Sequence, residues 1–158
     1  TDTLQSLYSM EEYGSAQEAF DQFYADLIFV CPTKFLLDSA SPYVDTYGYH
    51  YTHVPSWIDL YAYMEGWGSY HSSELPFVFG SFLNTLTTAE QTLSAQLQDA
   101  WISVANGAPN LSADTPWETY DTELLNGGSW AQWDTSSATM VTGVKKDNCD
   151  YIASQWWQ

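Results

Sequence analysis

The sequence has very few basic residues. Lys and Arg together number three against 20 Asp and Glu, which gives a formal net charge of −17 at pH 7. A chain this acidic repels the phosphates of nucleic acids and the headgroups of anionic membranes near neutral pH, so the composition argues against both classes of partner. Attraction of cationic substrates would be one use for so much acid. A soluble secreted protein suited to mildly acidic surroundings is the favoured interpretation, because net charge acts first on solubility and encounter rate.

Long hydrophobic runs are also missing. No uninterrupted apolar stretch approaches the roughly 20 residues of a membrane-spanning helix, and the first residues do not have the character of a signal peptide. We therefore predict no membrane span. We expect the signal of a secreted parent protein to lie on a portion that precedes Thr1.

Cysteine is scarce as well. The two cysteines, Cys31 and Cys149, lie far apart in the sequence. Two cysteines admit one internal disulfide. Two buried and unreactive thiols are the alternative.

Apolar and aromatic residues are plentiful. Hydrophobic residues make up 45% of the 158 residues and aromatic residues 17%, which is typical of a globular chain with a core and argues against disorder. The chain has no internal repeat and no linker that would divide it, so residues 1–158 are predicted to belong to a single domain.

Two capping boxes mark the starts of helices. The stretches Ser15–Glu18 and Thr87–Glu90 both place a hydroxyl three residues before a glutamate. The first predicts a helix through about Val30, with an apolar stripe that includes Phe20 and a polar face that includes Asp26. The second predicts a helix of about 18 residues.

Other residues set further helix boundaries. Pro32 cannot continue a helix but can begin one, so a break is predicted at Cys31 and a helix from Pro32 to about Asp38. Gly107 is expected to stop the helix that the second capping box starts. Asp147 is expected to cap a last helix through Trp157.

Strands are predicted in two places. Residues Val44–His53 are rich in Tyr and Thr and alternate, which favours a central parallel strand with the functional loop after its carboxyl end. Residues Thr139–Val144 are predicted to form a short edge strand. The segment 109–134 is rich in loop residues, and no regular element is predicted there.

His50 and His53 could suggest a metal site. On a strand, however, a spacing of three residues places two side chains on opposite faces. No Cys or acidic cluster completes a ligand set. We therefore predict no metal site.

The strongest candidate for chemistry is His71. Gly66 and Gly68 allow a tight turn ahead of it, and Ser72 and Ser73 offer N-cap oxygens to a short apolar helix. A loop-to-helix corner of this kind can direct a ring nitrogen into a cleft, as a general base requires. A capping or core histidine is the alternative that the local pattern leaves open.

Aromatic residues are concentrated just before this histidine. The loop 55–68 contains Trp57, Tyr61, Tyr63 and Trp67. These rings could wall a substrate pocket or could pack beneath the loop, and the sequence does not separate the two possibilities. The candidates for the pocket are Trp67, Tyr70 and Phe77.

The stretch His71–Gly80 resembles the segment around the catalytic histidine of type-B carboxylesterases, the cholinesterase and fungal lipase branch of the α/β-hydrolases. Similar landmarks follow the family's order: Cys31-Pro32, Trp101–Asn110 and Trp117–Tyr120. The resemblance implies an α/β fold, the C-terminal part of an α/β-hydrolase, with helices packed on a few strands of a larger and mostly parallel sheet. It also implies an obligate partner, an N-terminal polypeptide that carries the Gly-x-Ser-x-Gly nucleophile turn.

The resemblance implies a serine esterase mechanism without a cofactor, acting on a small-molecule or lipid ester. His71 would be the imidazole of a Ser-Glu-His triad whose serine and glutamate lie upstream, so the isolated chain should be inert. Glu74 would hydrogen-bond behind the loop, although it could be an ordinary solvated charge. Pro76 stands where the family often has another acid, which puts a polar network there in doubt. The resemblance also pairs Cys31 with Cys149.

A second function remains open. A non-catalytic cholinesterase-like adhesion or binding protein would keep the fold but replace the serine, and nothing in this sequence distinguishes it from an esterase. Secretion is expected for either protein, because Asn110-Leu111-Ser112 is an N-glycosylation sequon.

Overall fold

The computed structural model describes residues 2–60, 66–81, 83–122, 127–135 and 137–156. These residues form two compact units. The first unit contains the described residues of 1–46, 120–128 and 142–158, and the second contains those of 47–119 and 129–141.

Helices occur in both units, and the strands, apart from Thr142 at the end of the last one, lie in the second. The helices are α1 (Asp2–Leu7), α2 (Met10–Tyr13), α3 (Ala16–Ala25), α4 (Cys31–Ala40), α5 (Leu75–Val78), α6 (Thr88–Ala105) and α7 (Lys146–Trp156). The strands are β1 (Gly48–Tyr51), β2 (Asn110–Ser112), β3 (Thr115–Pro116), β4 (Ser129–Trp133) and β5 (Ala138–Thr142).

Helix α3 begins where the sequence predicts. The hydroxyl of Ser15 accepts a hydrogen bond from the backbone amide of Glu18 and donates one to its carboxylate. The predicted break at Cys31 is wrong, because a π-helical segment, Asp26–Val30, connects α3 directly to α4. Pro32 lies in the first turn of α4, directly after the π-helical segment.

The predicted faces of α3 need correction. Asp26 was expected on the polar face but is fully buried, where it accepts hydrogen bonds from Tyr8 and Gln22. Phe20 was expected in the apolar stripe but is more than half exposed, as is Tyr24 one turn further on. An apolar face of this helix is therefore open to solvent in this chain.

The two cysteines form the disulfide that the resemblance implies. Cys31 at the start of α4 is bonded to Cys149 in α7, 118 residues further on. Both cysteines and Ile152 are buried together in a small core. Helix α7 begins at Lys146, so Asp147 lies inside its first turn and is not its cap. The predicted end of this helix, Trp157, lies outside the described residues.

The second unit contains the sheet that precedes the loop of His71. Among the described residues, this sheet has three strands in the order β1-β4-β5, and β1 is parallel to β4. The parallel pairing was predicted, but in this chain β1 lies at an edge of the sheet and not at its centre. Strand β5 lies at the other edge, as predicted.

Strand β4 is central and was not predicted. Four of its five residues are buried, namely Ser129, Trp130, Ala131 and Trp133. A strand covered on both faces does not alternate between apolar and polar residues. The period-2 pattern that reveals β1 and β5 is therefore missing here.

Helix α6 contributes to the core of the second unit. It has 18 residues and a complete capping box between Thr87 and Glu90, as predicted. Leu93, Leu97 and Ala100 have no exposed surface. They pack in one cluster that also contains Phe77 and Trp133. None of the helices in the described ranges combines the length and the apolar composition that crossing a bilayer requires.

Candidate active site

His71 lies on a turn between β1 and α5. We call residues 70–74 the histidine turn. The amide of Ser73 donates to the carbonyl of Tyr70 at 3.0 Å, which closes this turn. Gly66 and Gly68 precede it with φ of 82° and 60°, left-handed values that glycine adopts without strain. The loop-to-helix corner is therefore confirmed, and the His71 side chain is exposed on it.

The predicted capping by the two serines is wrong. Helix α5 has Glu74 as its N-cap residue and no side-chain capping bond. Ser72 instead adopts a left-handed backbone with φ of 69°, and its carbonyl accepts the amide of Leu75. Ser73 is 1% exposed. Together these residues reverse the chain so that the turn leads directly into the short helix.

Glu74 connects the histidine turn to the sheet. Its carboxylate accepts a hydrogen bond from the hydroxyl of Tyr49 on β1 at 3.3 Å. Burial, together with the negative charge of Glu74, raises the pKa of Tyr49 to about 12, so this phenol remains a donor at physiological pH. A second bond, from the hydroxyl of Ser69 to the carbonyl of Tyr51, holds the preceding loop at the carboxyl end of β1.

The predicted pocket residues differ in exposure. Trp67 is 50% exposed, and its ring meets that of Tyr70 edge-on at 5.4 Å. Phe77 has no exposed surface and lies in the core. It therefore does not line a pocket, contrary to the prediction, but supports the turn from beneath. Tyr61 and Tyr63 lie outside the described residues.

Trp57 supports the turn from within the unit. Its indole nitrogen donates to the hydroxyl of Tyr70 at 3.1 Å. Its ring packs on Phe77 with centroids 5.3 Å apart and an interplanar angle of 30°. Of the two uses considered for the aromatic residues, packing beneath the loop therefore applies to Trp57.

A buried carboxylate lies behind these aromatic residues. Glu90, which is 1% exposed, accepts hydrogen bonds from the amide and hydroxyl of Ser56 at 2.7 and 2.6 Å. The amide and hydroxyl of Thr87 each lie 2.8 Å from it, and Nε2 of His53 lies 3.1 Å from it. Burial alone would raise the pKa of Glu90, but these donors, those of Ser56 foremost, outweigh it and lower the pKa to about 2.

His53 is a structural histidine. It is 5% exposed, and its two ring nitrogens lie 3.1 Å from Glu90 and 2.7 Å from the hydroxyl of Thr135. The sequence indicates Glu90 only as part of a capping box. Its contact with His53 spans 37 residues and has no local signal. Within the described ranges, no three His, Cys, Asp or Glu side chains are grouped for a metal ion.

The sequence model of the carboxylesterase family matches residues 1–152. The chain belongs to this family. Human cocaine esterase is 32% identical to this carboxylesterase-family chain over 114 residues, which are 68% of the chain and 20% of that protein.

A solved structure gives the fold. The structure titled PNB esterase superposes with a TM-score of 0.70 at 22% identity, covering 94% of this chain and 31% of its own. The carboxylesterase-family chain therefore has the fold of part of an α/β-hydrolase. It spans about a fifth of the length of the curated relative and about a third of the solved chain.

These matches confirm the resemblance and the fold class. They do not test the roles of individual residues. The assignments of His71 as the base and of Glu74 as a residue outside the triad that supports the loop remain predictions.

Glu90 should make stability depend on pH in the acidic range. Its folded pKa of about 2 lies below the ordinary value of 4.5, so its contribution is fully present above pH 4.5 and is lost as the pH falls toward 2. A difference of this size corresponds to about 3 kcal/mol. In urea titrations of the complete protein, the difference in the free energy of unfolding between wild type and Glu90→Gln should shrink by this amount as the pH falls from 6 to 2. Parallel curves would contradict the assignment.

Proposed function

We propose that this chain supplies the catalytic histidine, His71, to a secreted serine carboxylic ester hydrolase. The nucleophilic serine and the triad glutamate belong to a part of the protein outside this chain. The observation that carries the proposal is the place of His71 in a chain of the carboxylesterase family. The ring is exposed, and it stands on a turn that hydrogen bonds and buried aromatic rings hold in place.

The chemistry of the proposal is acyl transfer. A hydroxyl is a poor nucleophile at neutral pH, so the imidazole of His71 removes the serine proton during attack on the ester carbonyl. The same imidazole then gives this proton to the leaving alcohol. In the second half of the cycle it activates water, which releases the acid and regenerates the serine.

The rest of the hydrolase is proposed to be an N-terminal polypeptide that packs on this chain. Phe20, Tyr24 and Ile28 are spaced by four residues, and all three are exposed. The rings of Phe20 and Tyr24 lie 6.3 Å apart, so they form a continuous apolar face. Exposed faces of this kind mark contact surfaces, and the chain is short compared with its relatives.

An ester is the proposed class of substrate, either a small molecule or a lipid. Both relatives have names that describe esterases. Trp67 and Tyr70 are the rings that could contact the substrate, because they lie just before His71 and keep exposed surface. Which ester is preferred depends on pockets that the partner polypeptide also builds.

Secretion is part of the proposal. The Cys31–Cys149 disulfide favours an oxidising compartment. Asn110 of the sequon lies on β2, where its side-chain amide donates to the carbonyl of Ala108 in an exposed contact. Ser112 is also exposed, so an N-linked glycan is compatible with the fold at this position.

Replacing His71 tests the catalytic role. His71→Gln in the complete protein should abolish hydrolysis of a chromogenic ester and leave the thermal unfolding midpoint unchanged, because the side chain is exposed. His50→Gln, a histidine of β1, is the matched control and should keep turnover. Retained turnover in His71→Gln excludes the role.

Labelling of the wild-type protein by an organophosphate distinguishes the two functions. An esterase is labelled at its serine, whereas an esterase-like adhesion protein is not.

The size of the native protein tests the partner. Gel filtration should give a mass well above the 17.8 kDa of this chain. Denaturing electrophoresis without reductant should still separate the chain from its partner, because its two cysteines are bonded to each other. A native mass equal to this chain alone contradicts the proposal.

The sequon is tested by peptide mass spectrometry of the secreted protein. Enzymatic removal of N-linked glycans should convert Asn110 to Asp in wild type. Ser112→Thr keeps the sequon and should give the same conversion, whereas Ser112→Ala should prevent it. An unmodified Asn110 in wild type would show that the site is not used.

A further inference from the structure

We infer that Glu90 is a positioning residue for His71. Its buried carboxylate fixes the residues that support both ends of the histidine turn. This inference rests on the proposed function of His71. It gives Glu90, which belongs to the capping box of α6, a second role in the reaction.

Hydrogen bonds and the packing of its helix hold Glu90 rigidly in place. Its two oxygens are shared among donors from Ser56, Thr87 and His53. Both Glu90 and its helix are fixed, because the core residues of α6 that follow it have no exposed surface. The carboxylate therefore acts as a fixed point for the segment 53–57.

The first connection runs to the start of the turn. Glu90 fixes Ser56 by accepting hydrogen bonds from the amide and the hydroxyl of that residue. The next residue, Trp57, donates its indole hydrogen to the hydroxyl of Tyr70 at 3.1 Å. Tyr70 immediately precedes His71, and its carbonyl closes the turn.

The second connection runs to the end of the turn. The ring of His53, which is hydrogen-bonded to Glu90, meets the ring of Phe77 edge-on, with the ring centroids 5.4 Å apart. Phe77 belongs to α5, the helix that follows His71. The carbonyl of Phe77 also accepts the hydroxyl of Ser94 at 2.7 Å, so α6 holds this side of the turn directly.

Support from both sides matters because proton transfer depends on direction. A general base must lie within hydrogen-bond reach of the proton that it removes. A displacement of about 1 Å can cost on the order of 100-fold in rate. The precision with which an exposed histidine on a turn is placed depends on the residues that support the turn.

The test uses Glu90→Gln in the complete enzyme, assayed well below its thermal unfolding midpoint. We expect kcat to fall about 10- to 100-fold while KM for the same ester changes less than about twofold, because orientation is lost and substrate contacts are kept. Trp57→Phe keeps the ring on Phe77 but loses the bond to Tyr70, so it should lower kcat in the same way. The double variant should lose less than the product of the two effects, because both act through one connection.

Two controls separate positioning from stability. Asp99→Asn removes an exposed acid from the same helix and should leave kcat and KM unchanged. Ile152→Ala opens the core of the first unit and should lower the unfolding midpoint while it keeps kcat. If Glu90→Gln keeps the wild-type kcat, or if Ile152→Ala loses as much kcat as Glu90→Gln, the inference is wrong.

Two further results have defined meanings. If Glu90→Gln does not fold, Ser56→Ala and Trp57→Phe decide the question, and an unchanged kcat in both overturns the inference. If His71→Gln keeps turnover, the proposed function fails. If His71→Gln is inactive and Glu90→Gln is fully active, only the positioning role fails.

Discussion

The second unit depends on the burial of one carboxylate. An ionised group removed from water is costly unless donors replace its hydration. Glu90 receives such donors from His53 just after β1, from Ser56 and from Thr87 at the cap of its own helix. These segments must meet before the charge can be buried. The hydrogen bonds that satisfy the charge and the support of the histidine turn therefore depend on the same contacts between these segments.

The first unit contains a comparable arrangement. Asp26 is fully buried and accepts hydrogen bonds from Tyr8 and Gln22. Lys145 lies 3.6 Å from it and donates to Tyr13. Burial raises the pKa of Asp26, and Lys145 acts against this rise most strongly. The chain has three Lys and Arg residues, and one of them, Lys145, is paired with the buried carboxylate of Asp26.

Features set by neighbouring residues could be predicted from the sequence. The capping box before α6, the length of that helix and the glycine-led corner of His71 depend on residues a few positions apart. Asp26 was assigned to the wrong face because its lysine partner is 119 positions away. Strand β4 was missed because burial on both faces removes the alternation. The support behind the site, from Glu90 to His53, was likewise hidden by sequence distance.

The disulfide has a consequence for the integrity of the chain. The bond between Cys31 and Cys149, which are 118 residues apart, closes the chain between them into a covalent ring. An exposed turn such as Asn106–Gly107 lies inside this ring. A protease that cuts once there opens the backbone but releases no fragment until the bridge is reduced. The chain can thus be cut once and its two pieces still stay covalently joined, and reducing electrophoresis distinguishes the cut chain from the intact one.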